Sequence, residues 1–369
     1  MDHERRPYTR AGGRLSRDAV ALVRVLPALL IIGGILYDGL TPKDFTAIPF
    51  FTAAPLVAAP VLSLAATAAT GAVAVLAAYG VHVRFGWGPD ADTLTEAATV
   101  ATVALLAVGI NRVVARGDAR LASTREIAEA AQRAVLPEPA ERIGGFAIAA
   151  RYEAAQKDAF IGGDLYAVQD TPYGVRLVVG DVRGKGMGAV AAVAVVIGAF
   201  REAAEQEASL EAVAGRLDRA LAREGARRAG LDAYEGFTTA VLAELPHGDG
   251  VVRLVNRGHP PPLLLCSDGT VRTLHAGEPA LPLGMGELGA WPDRAEEAKF
   301  PGGATLLLHT DGLSEARDGH GEFYDPAARL AGRVFREPGA LLDTLAREVR
   351  RHTGDGTTDD MALLAVLRP

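Results

Sequence analysis

The hydrophobic pattern divides the chain into two parts, with long apolar runs in the first third and short apolar runs between turns afterwards. Residues 19–40 are apolar except near their ends, and 47–85 contains no acidic or basic side chain before His82. A further, largely apolar run occupies 94–114. Because one helical span needs about 20 residues, 47–85 is long enough for two passes. The pattern predicts a transmembrane region of about four helices in 19–116.

Basic residues are unevenly distributed around these apolar runs. Residues 1–18 are polar and arginine-rich, and Arg112, Arg116 and Arg120 follow the last run. The positive-inside rule then predicts that both ends of the region are cytoplasmic. Residues 1–18 lack a small-residue cleavage site after a short apolar core, so we expect a cytoplasmic tail and not a removable signal peptide. The alternative, in which 19–116 forms a buried helical core domain, stays open.

A polar helix is predicted between the two parts, within a linker at 117–139. Apolar side chains recur at helical spacing in 121–136, for example at Ile127 and Val135, and Pro137 ends the pattern. Such a helix acts either as a plain spacer or as a coiled contact that carries a signal and forms a homodimer. The sequence leaves both alternatives open.

The remainder of the chain, 140–369, contains short apolar runs bounded by turn residues. Because the strands come in runs and do not alternate strictly with helices, the pattern predicts an α+β fold of antiparallel sheets covered by helices. Strands are predicted at 146–152, 165–169, 174–180, 238–245, 250–256, 262–266, 304–309 and 361–367. Helices are predicted at 187–204 and 209–224, with a helical pair near 326–352.

Composition narrows the possible functions. The net charge is −7, and no dense basic face follows the apolar region, which argues against a nucleic-acid-binding protein. Cys266 is the single cysteine, so an intrachain disulfide framework is excluded and a reducing, cytosolic setting is favoured for 140–369.

The segment 178–188, VVGDVRGKGMG, joins a buried apolar run to a glycine-dense loop. Asp181 ends the run, and a segment rich in alanine and valine follows the loop. This pattern predicts a strand that delivers Asp181 to a tight turn opening a helix. In the alternative interpretation Asp181 only caps that helix.

Further aspartates occur at predicted strand ends. Asp164 follows two glycines in a loop, Asp311 follows an apolar strand, and Asp359 and Asp360 precede the last strand. Any one of them has a simple explanation as a cap or turn residue. Hard cations such as Mg²⁺ and Mn²⁺ prefer carboxylate oxygens, and a two-metal site needs several of them. The four strand ends together predict a divalent-cation site: Asp164, Asp181, Asp311 and the pair Asp359 and Asp360.

Five short motifs follow one another along the second part of the chain. They are GGDLY at 162–166, GDVRGKG at 180–186, NRGHPPPLLL at 256–265, LLLHTDGLSEAR at 306–317 and DDMALLAVL at 359–367. In this order they resemble the motifs of the SpoIIE/RsbU-type branch of the metal-dependent (PPM, protein phosphatase 2C-like) serine/threonine phosphatases. The resemblance covers about residues 121–369.

The resemblance implies an αββα sandwich that holds two divalent cations, Mn²⁺ or Mg²⁺, between its sheets. Asp164 and Asp181 match the first two metal aspartates and are the expected catalytic residues, with Asp181 bridging both ions. Asp359 is favoured over Asp360 as the last ligand. The implied metal ligands are Asp164, Asp181, the carbonyl of Val182, Asp311, and Asp359 or Asp360.

The implied reaction is hydrolysis of a phosphoserine or phosphothreonine by a metal-activated water, without a covalent intermediate. In relatives the substrate is a regulatory protein, an anti-sigma-factor antagonist. Lys185 stands where other phosphatases of the family are proposed to use a histidine general acid, so that group is not available. His259 is interpreted as a turn residue beside Gly258.

Two hypotheses of other classes remain for comparison. A degenerate phosphatase domain would act as a membrane sensor or scaffold that binds a regulatory partner, and the retained aspartates argue against it. A transporter subunit has little support, because the apolar runs lack a central charged pair. The sequence therefore predicts an enzyme attached to the cell membrane, in contact with lipid through 19–116, with its catalytic domain in the cytoplasm.

Overall fold

The computed structural model describes residues 17–41, 45–84, 91–154, 162–184, 186–225, 237–278, 280–289, 293–354 and 359–369. The chain divides into two compact units, Met1–Ser123 and Thr124–Pro369. The prediction for Lys185, and nearly all of the tail predicted at 1–18, lie outside the described residues.

The N-terminal unit is helical. Three segments of its described residues are long and apolar enough to cross a membrane: Leu22–Leu40, Leu64–Val81 and Thr93–Arg120. The helices are α1 (Arg17–Leu40), α2 (Ile48–Ala58), α3 (Leu64–Arg84) and α4 (Ala91–Val135), of which α4 continues into the second unit. The polar helix predicted at 121–136 is the last part of α4.

The segment 47–85 differs from the expectation of two full passes. It contains α3 and the 11-residue helix α2, which is shorter than the roughly 20 residues that a span needs. Helix α2 ends at Ala58, and the Nδ2 atom of Asn111 on α4 donates hydrogen bonds to the carbonyls of Ala59 (2.7 Å) and Leu62 (2.8 Å). These bonds satisfy backbone carbonyls that the end of α2 leaves free, so a nonhelical turn is tolerated among apolar helices.

The C-terminal unit contains two antiparallel sheets. One has six strands in the order β1-β2-β11-β10-β7-β8, and the other has five in the order β3-β4-β5-β6-β9. The strands are β1 (Arg142–Ile143), β2 (Phe146–Glu153), β3 (Asp164–Thr171), β4 (Gly174–Val182), β5 (Thr238–Leu245), β6 (Val251–Arg257), β7 (Leu263–Leu265), β8 (Val271–Thr273), β9 (Glu296–Lys299), β10 (Thr305–His309) and β11 (Met361–Leu367).

Helices cover both outer faces of the sheet pair. Helices α5 (Met187–Gln206) and α6 (Leu210–Gly225) pack on the five-stranded sheet, and α9 (Pro338–His352) packs on the six-stranded one. The short helices α7 (Asp311–Ser314) and α8 (Pro326–Leu330) lie between β10 and α9 in sequence. This layering confirms the predicted α+β fold and the αββα sandwich.

The side chains of β10 show how the layers are built. Leu306 and Leu308 belong to the core between the two sheets, whereas Leu307 packs in a second core with Leu341 and Leu345 of α9. Successive residues of a strand point to opposite faces, so one apolar strand supplies both cores. The sheet is therefore buried on both sides, which explains its nearly continuous apolar runs.

A buried arginine fixes the far end of α5. Arg176 on β4 is fully buried and donates hydrogen bonds to the carboxylate of Glu244 on β5 (2.6 and 2.8 Å). Its Nη1 atom also donates to the carbonyls of Ala204 (2.8 Å) and Glu207 (2.6 Å), where α5 ends. Arg176 therefore joins two strands and the C-terminal end of this helix.

Candidate metal centre

The predicted site residues converge on one cavity of about 400 Å³ in the C-terminal unit. Carboxylate oxygens of Asp164, Asp181 and Asp311 lie within 4.8 Å of one another. The residues brought together are Asp164, Asp181, Asp311, Asp359, Asp360 and Val182.

Strand pairing sets the positions of the first two aspartates. Asp164 is the first residue of β3 and lies opposite Asp181, near the end of β4, in the antiparallel register. The sequence predicts Asp164 in a loop, whereas the structure places it in the strand. The pairing extends past the strand, because the Val182 amide donates to the Gly163 carbonyl at 3.0 Å. Both carboxylates are therefore supported by rigid backbone.

The two glycines before Asp164 leave the space in which the other groups lie. A Cβ atom on Gly162 would come within 1.5 Å of Asp360 Oδ2. A Cβ atom on Gly163 would lie 2.0 Å from the Val182 carbonyl oxygen and 2.8 Å from Asp181 Oδ1. A side chain at either glycine would overlap groups that line the acidic cavity.

Thr310 connects Asp311 to Asp164. Its Oγ1 atom donates a 2.6 Å hydrogen bond to Asp164 Oδ2 and accepts one from the Ala362 amide at 2.9 Å. Thr310 also precedes α7, whose first residue is Asp311. One buried hydroxyl therefore fixes the carboxylate of Asp164 beside the segment that carries Asp311.

Both members of the last aspartate pair line the cavity. Asp360 is buried, whereas Asp359 is exposed. The backbone carbonyl of Asp360 lies so close to Gly312 that a Cβ atom there would come within 1.8 Å of it. The preference for Asp359 as the metal ligand stays a prediction.

Burial and mutual repulsion oppose ionisation of this cluster. Burial, followed by the charge of Asp181, raises the pKa of Asp164 well above its usual value. Burial and the charges of Asp311 and Asp359 raise the pKa of Asp181 to about 7. The pKa of Asp311 is raised by burial and then by Glu315. Bound cations would offset this repulsion, so the carboxylates of the cluster would ionise more readily when cations are bound.

The donor set fits hard divalent cations. Such cations take carboxylate and carbonyl oxygens as ligands and keep several waters. The cavity offers five carboxylates, with the Val182 carbonyl beside them, and the glycines at 162 and 163 leave room for an ion. The residues present are therefore compatible with Mg²⁺ or Mn²⁺.

His259 has more contacts than a simple turn residue. Asn256 closes the turn by accepting from the His259 amide (2.8 Å) and donating to the His259 carbonyl (2.9 Å). The ring is buried and its Nδ1 atom lies 3.0 Å from Oγ1 of Thr239, which lines the acidic cavity. Burial lowers the pKa of His259 to about 3, so the ring is neutral. It supports the wall of the site without charge.

Sequence reasoning missed four residues at this site. Arg183, Phe237 and Thr239 line the cavity, and Thr310 binds Asp164. Two of them are next to predicted residues in sequence: Arg183 follows Val182, and Thr310 precedes Asp311. The other two depend on strand pairing, because Thr239 lies opposite Asp181 and the Phe237 carbonyl accepts from the Arg183 amide. Recognising Thr239 and Phe237 required the register of β4 and β5, which the apolar pattern does not give.

Comparison with known proteins identifies related chains. The sequence profile described as Stage II sporulation protein E (SpoIIE) matches residues 171–369. Among solved structures, the SiaA-PP2C domain of Pseudomonas aeruginosa is 20% identical with a TM-score of 0.55, and the match covers 69% of this chain and 99% of that chain.

Two further solved structures are similar. The PP2C phosphatase domain with a fragment of the regulatory domain of SpoIIE from Bacillus subtilis is 19% identical, with a TM-score of 0.50 and coverage of 60% of this chain. The RsbU and RsbW domains of Rv1364c from Mycobacterium tuberculosis are 27% identical, with a TM-score of 0.49 and coverage of 61%. The match spans 63% and 60% of those two chains, respectively.

Proposed function

Because this chain belongs to the SpoIIE family and its C-terminal unit is a PP2C-type phosphatase domain, we propose that it is a metal-dependent protein serine/threonine phosphatase of the cell membrane. The observation that carries the proposal is the convergence of five aspartates on one cavity between the sheets. The retained carboxylates count against the alternative of a binding-only sensor or scaffold.

The chain's own residues position the reacting groups. Asp164 and Asp181 present carboxylates from paired strands, Thr310 holds Asp164 by a 2.6 Å hydrogen bond, and Asp311 completes the cluster. Two divalent cations, Mn²⁺ or Mg²⁺, would supply an activated water and neutralise phosphoryl oxygens. We propose Asp164, Asp181, Asp311, the Val182 carbonyl and one of the last aspartate pair as their ligands.

We propose a phosphorylated regulatory protein as the substrate. The motifs resemble a branch whose members act on anti-sigma-factor antagonists, so we propose that class of phosphoprotein. The acidic cavity opens at exposed residues Arg183 and Gly184, which leaves it accessible to a phosphorylated side chain on a protein surface. We propose no nucleic-acid partner.

The three long apolar segments support a location in the membrane. We propose that they are embedded in lipid and that the arginines after the last of them, Arg112, Arg116 and Arg120, keep the phosphatase domain in the cytoplasm. The polar last part of α4 is our candidate for a homodimer contact.

The test is a phosphatase assay of the full chain in detergent or lipid discs. The probes are p-nitrophenyl phosphate and a phosphoserine peptide, each with Mn²⁺ or Mg²⁺. We expect hydrolysis that EDTA abolishes and excess Mn²⁺ restores. Hydrolysis that resists the chelator would contradict the two-metal proposal, and metal-loaded protein without any turnover would favour the binding-only alternative.

A further inference from the structure

A basic side chain lies at the mouth of the acidic cavity. Arg183 directly follows Val182, is exposed, and lines the cavity together with Phe237. Its guanidinium carbon lies 5.2 Å from the centroid of the Phe237 ring, within the range of a cation–π contact. The side chain is therefore supported on one face while its edge stays accessible.

The backbone beneath this side chain is fixed. Val182 and Thr238 form the last paired positions of β4 and β5, and the Arg183 amide then donates to the Phe237 carbonyl at 3.0 Å. Gly184 follows with φ of 115°, so the chain turns away immediately. Arg183 directly follows β4 and Phe237 directly precedes β5, so the guanidinium and the ring come from the ends of neighbouring strands and both line the acidic cavity.

The positive charge of Arg183 takes part in none of the ion pairs among the residues that the structure describes. Among the described residues that line the cavity, Arg183 is the only one with a basic side chain, and five aspartates line the same cavity. Other arginines of this unit are occupied, such as Arg176 with Glu244 and Arg257 with Asp218. In the part of the chain that the structure describes, the guanidinium of Arg183 has no carboxylate within ion-pair distance. Its N–H groups remain available for a ligand.

We propose that Arg183 binds the phosphoryl oxygens of the substrate at the mouth of the cavity. This inference rests on the proposed function, because it assigns a residue to the phosphate that the phosphatase would hydrolyse. A phosphate dianion that approaches several carboxylates is repelled by them, and an arginine offers two parallel charge-assisted hydrogen bonds that offset this repulsion. Stacking on Phe237 orients the guanidinium before the substrate arrives, which lowers the entropy that binding costs.

The inference is tested with inorganic phosphate and p-nitrophenyl phosphate as probes on the full chain loaded with Mn²⁺. We expect R183A to raise the inhibition constant for phosphate and the KM for p-nitrophenyl phosphate by about tenfold or more, the usual effect of losing a charged hydrogen-bond partner. R183K should recover only part of this loss, because a lysine lacks the planar fork. Mn²⁺ affinity, measured by calorimetry, should stay within about twofold of wild type, because the guanidinium is not a metal ligand.

Arg317→Ala is the matched control. Arg317 is also exposed and also lies over a phenylalanine ring, with its guanidinium carbon 4.2 Å from the centroid of Phe323, but it does not line the cavity. We expect wild-type constants for this variant. If R183A folds poorly, R183Q keeps a polar chain at the position and should show the same rise in the phosphate inhibition constant.

The possible results separate this inference from the proposed function. Active wild-type protein together with unchanged phosphate and substrate constants in R183A and R183Q would overturn the role of Arg183 and leave the phosphatase proposal intact. Wild-type protein that binds phosphate through Arg183 but hydrolyses neither probe would overturn the phosphatase proposal and support the binding role.

Discussion

At the scale of single residues, the acidic cavity depends on side chains that contribute little to the cores. Asp181 and Asp311 line the cavity, whereas the apolar cores are built from leucines, valines and alanines of the same strands. We expect D181A and D311A each to lower turnover with Mn²⁺ by about 100-fold or more, since each removes a ligand from a metal that stabilises the transition state.

Two controls accompany these variants. Their melting temperatures test whether they still fold, and D268A serves as a control variant. Asp268 is also an aspartate in a turn and accepts a hydrogen bond from the Thr270 amide at 2.8 Å, but it does not line the cavity. D268A should keep wild-type turnover, and all three variants should still unfold cooperatively. Turnover near the wild-type rate in D181A or D311A would show that the ligand assignment is wrong.

The carboxylate cluster also predicts a pH dependence. The pKa of Asp181 is raised to about 7 in the metal-free fold, against about 3.9 in an unfolded chain. The native state therefore holds more protons than the unfolded state between these values, and the stability of the metal-free protein falls as pH rises from about 4 to 7. Cations bind the ionised form, so their binding should release protons below pH 7.

Calorimetry of Mn²⁺ binding in two buffers of different ionisation enthalpy checks this expectation. At pH 6 we expect release of at least about one proton, because Asp164 also has a raised pKa, and an affinity that falls at least about tenfold per pH unit on further acidification. At pH 8.5 the proton release from Asp181 should disappear. Binding at pH 6 without any proton release would mean that the cluster is already ionised before the metal arrives.

Much of the site was accessible from the sequence, and the reasons are physical. Asp181 and Asp311 end apolar strands, so the pattern of apolar residues marked them directly. Thr239 and His259 were not marked, because their contact joins β5 to the turn after β6 and depends on strand register. A threonine inside an apolar strand gives no signal of its own until its opposite residue is known.

At the scale of elements, the predicted strands at 238–245 and 361–367 agree with β5 and β11 to the residue. Both are buried and strongly apolar. Strands β1, β8 and β9 were not predicted, because they are short edge strands with alternating exposure and charged residues such as Arg272 and Glu297. Edge strands carry little apolar pattern, since only part of their surface faces a core.

The turn after α2 leads to a prediction about Asn111. Its amide serves two carbonyls of this turn, at Ala59 and Leu62, and Asn111 is buried. We expect N111A to destabilise the helical unit by about 1–3 kcal/mol, the cost of leaving buried carbonyls without donors. Thermal unfolding of the full chain in detergent measures this effect.

Thr102→Ala is the matched control for N111A. Thr102 lies on the same helix, is exposed, and donates only to the Ala98 carbonyl one turn earlier at 2.8 Å. Its removal should change the melting temperature little. An N111A variant as stable as T102A would show that the turn at 59–62 finds other donors, such as lipid headgroups or water.

At the scale of the whole molecule, one hypothesis is that the apolar helices of the first unit are coupled to the metal site of the second. Helix α4 runs from Ala91 to Val135 without a described break. A change in the packing of the apolar helices would then be transmitted through 121–136 to the glycine-rich metal loops, provided that the two states differ by only a few kcal/mol. The competing hypothesis is simple anchoring, which needs no coupling.

Insertion of one alanine within 121–136 distinguishes the hypotheses. One added residue rotates the following part of a helix by about 100°. Coupling predicts that the insertion changes turnover in lipid discs, by about tenfold for each 1.4 kcal/mol by which it changes the free-energy difference between the two states. Coupling also predicts that the turnover of the soluble fragment 121–369 differs from that of the full chain. Anchoring alone predicts equal turnover and equal Mn²⁺ affinity in all three proteins.

The fastening of α5 by Arg176 restricts how such a signal would travel. Strand β4 carries Arg176 near its beginning and Asp181 near its end, and α5 begins at Met187 just after the glycine loop. Because Arg176 donates hydrogen bonds to the carbonyls of Ala204 and Glu207, sliding of the helix along the strand would break these bonds. Rotation about the backbone of Gly184 and Gly186 would leave these bonds intact. The glycine loop would then respond to a signal as a hinge between β4 and α5.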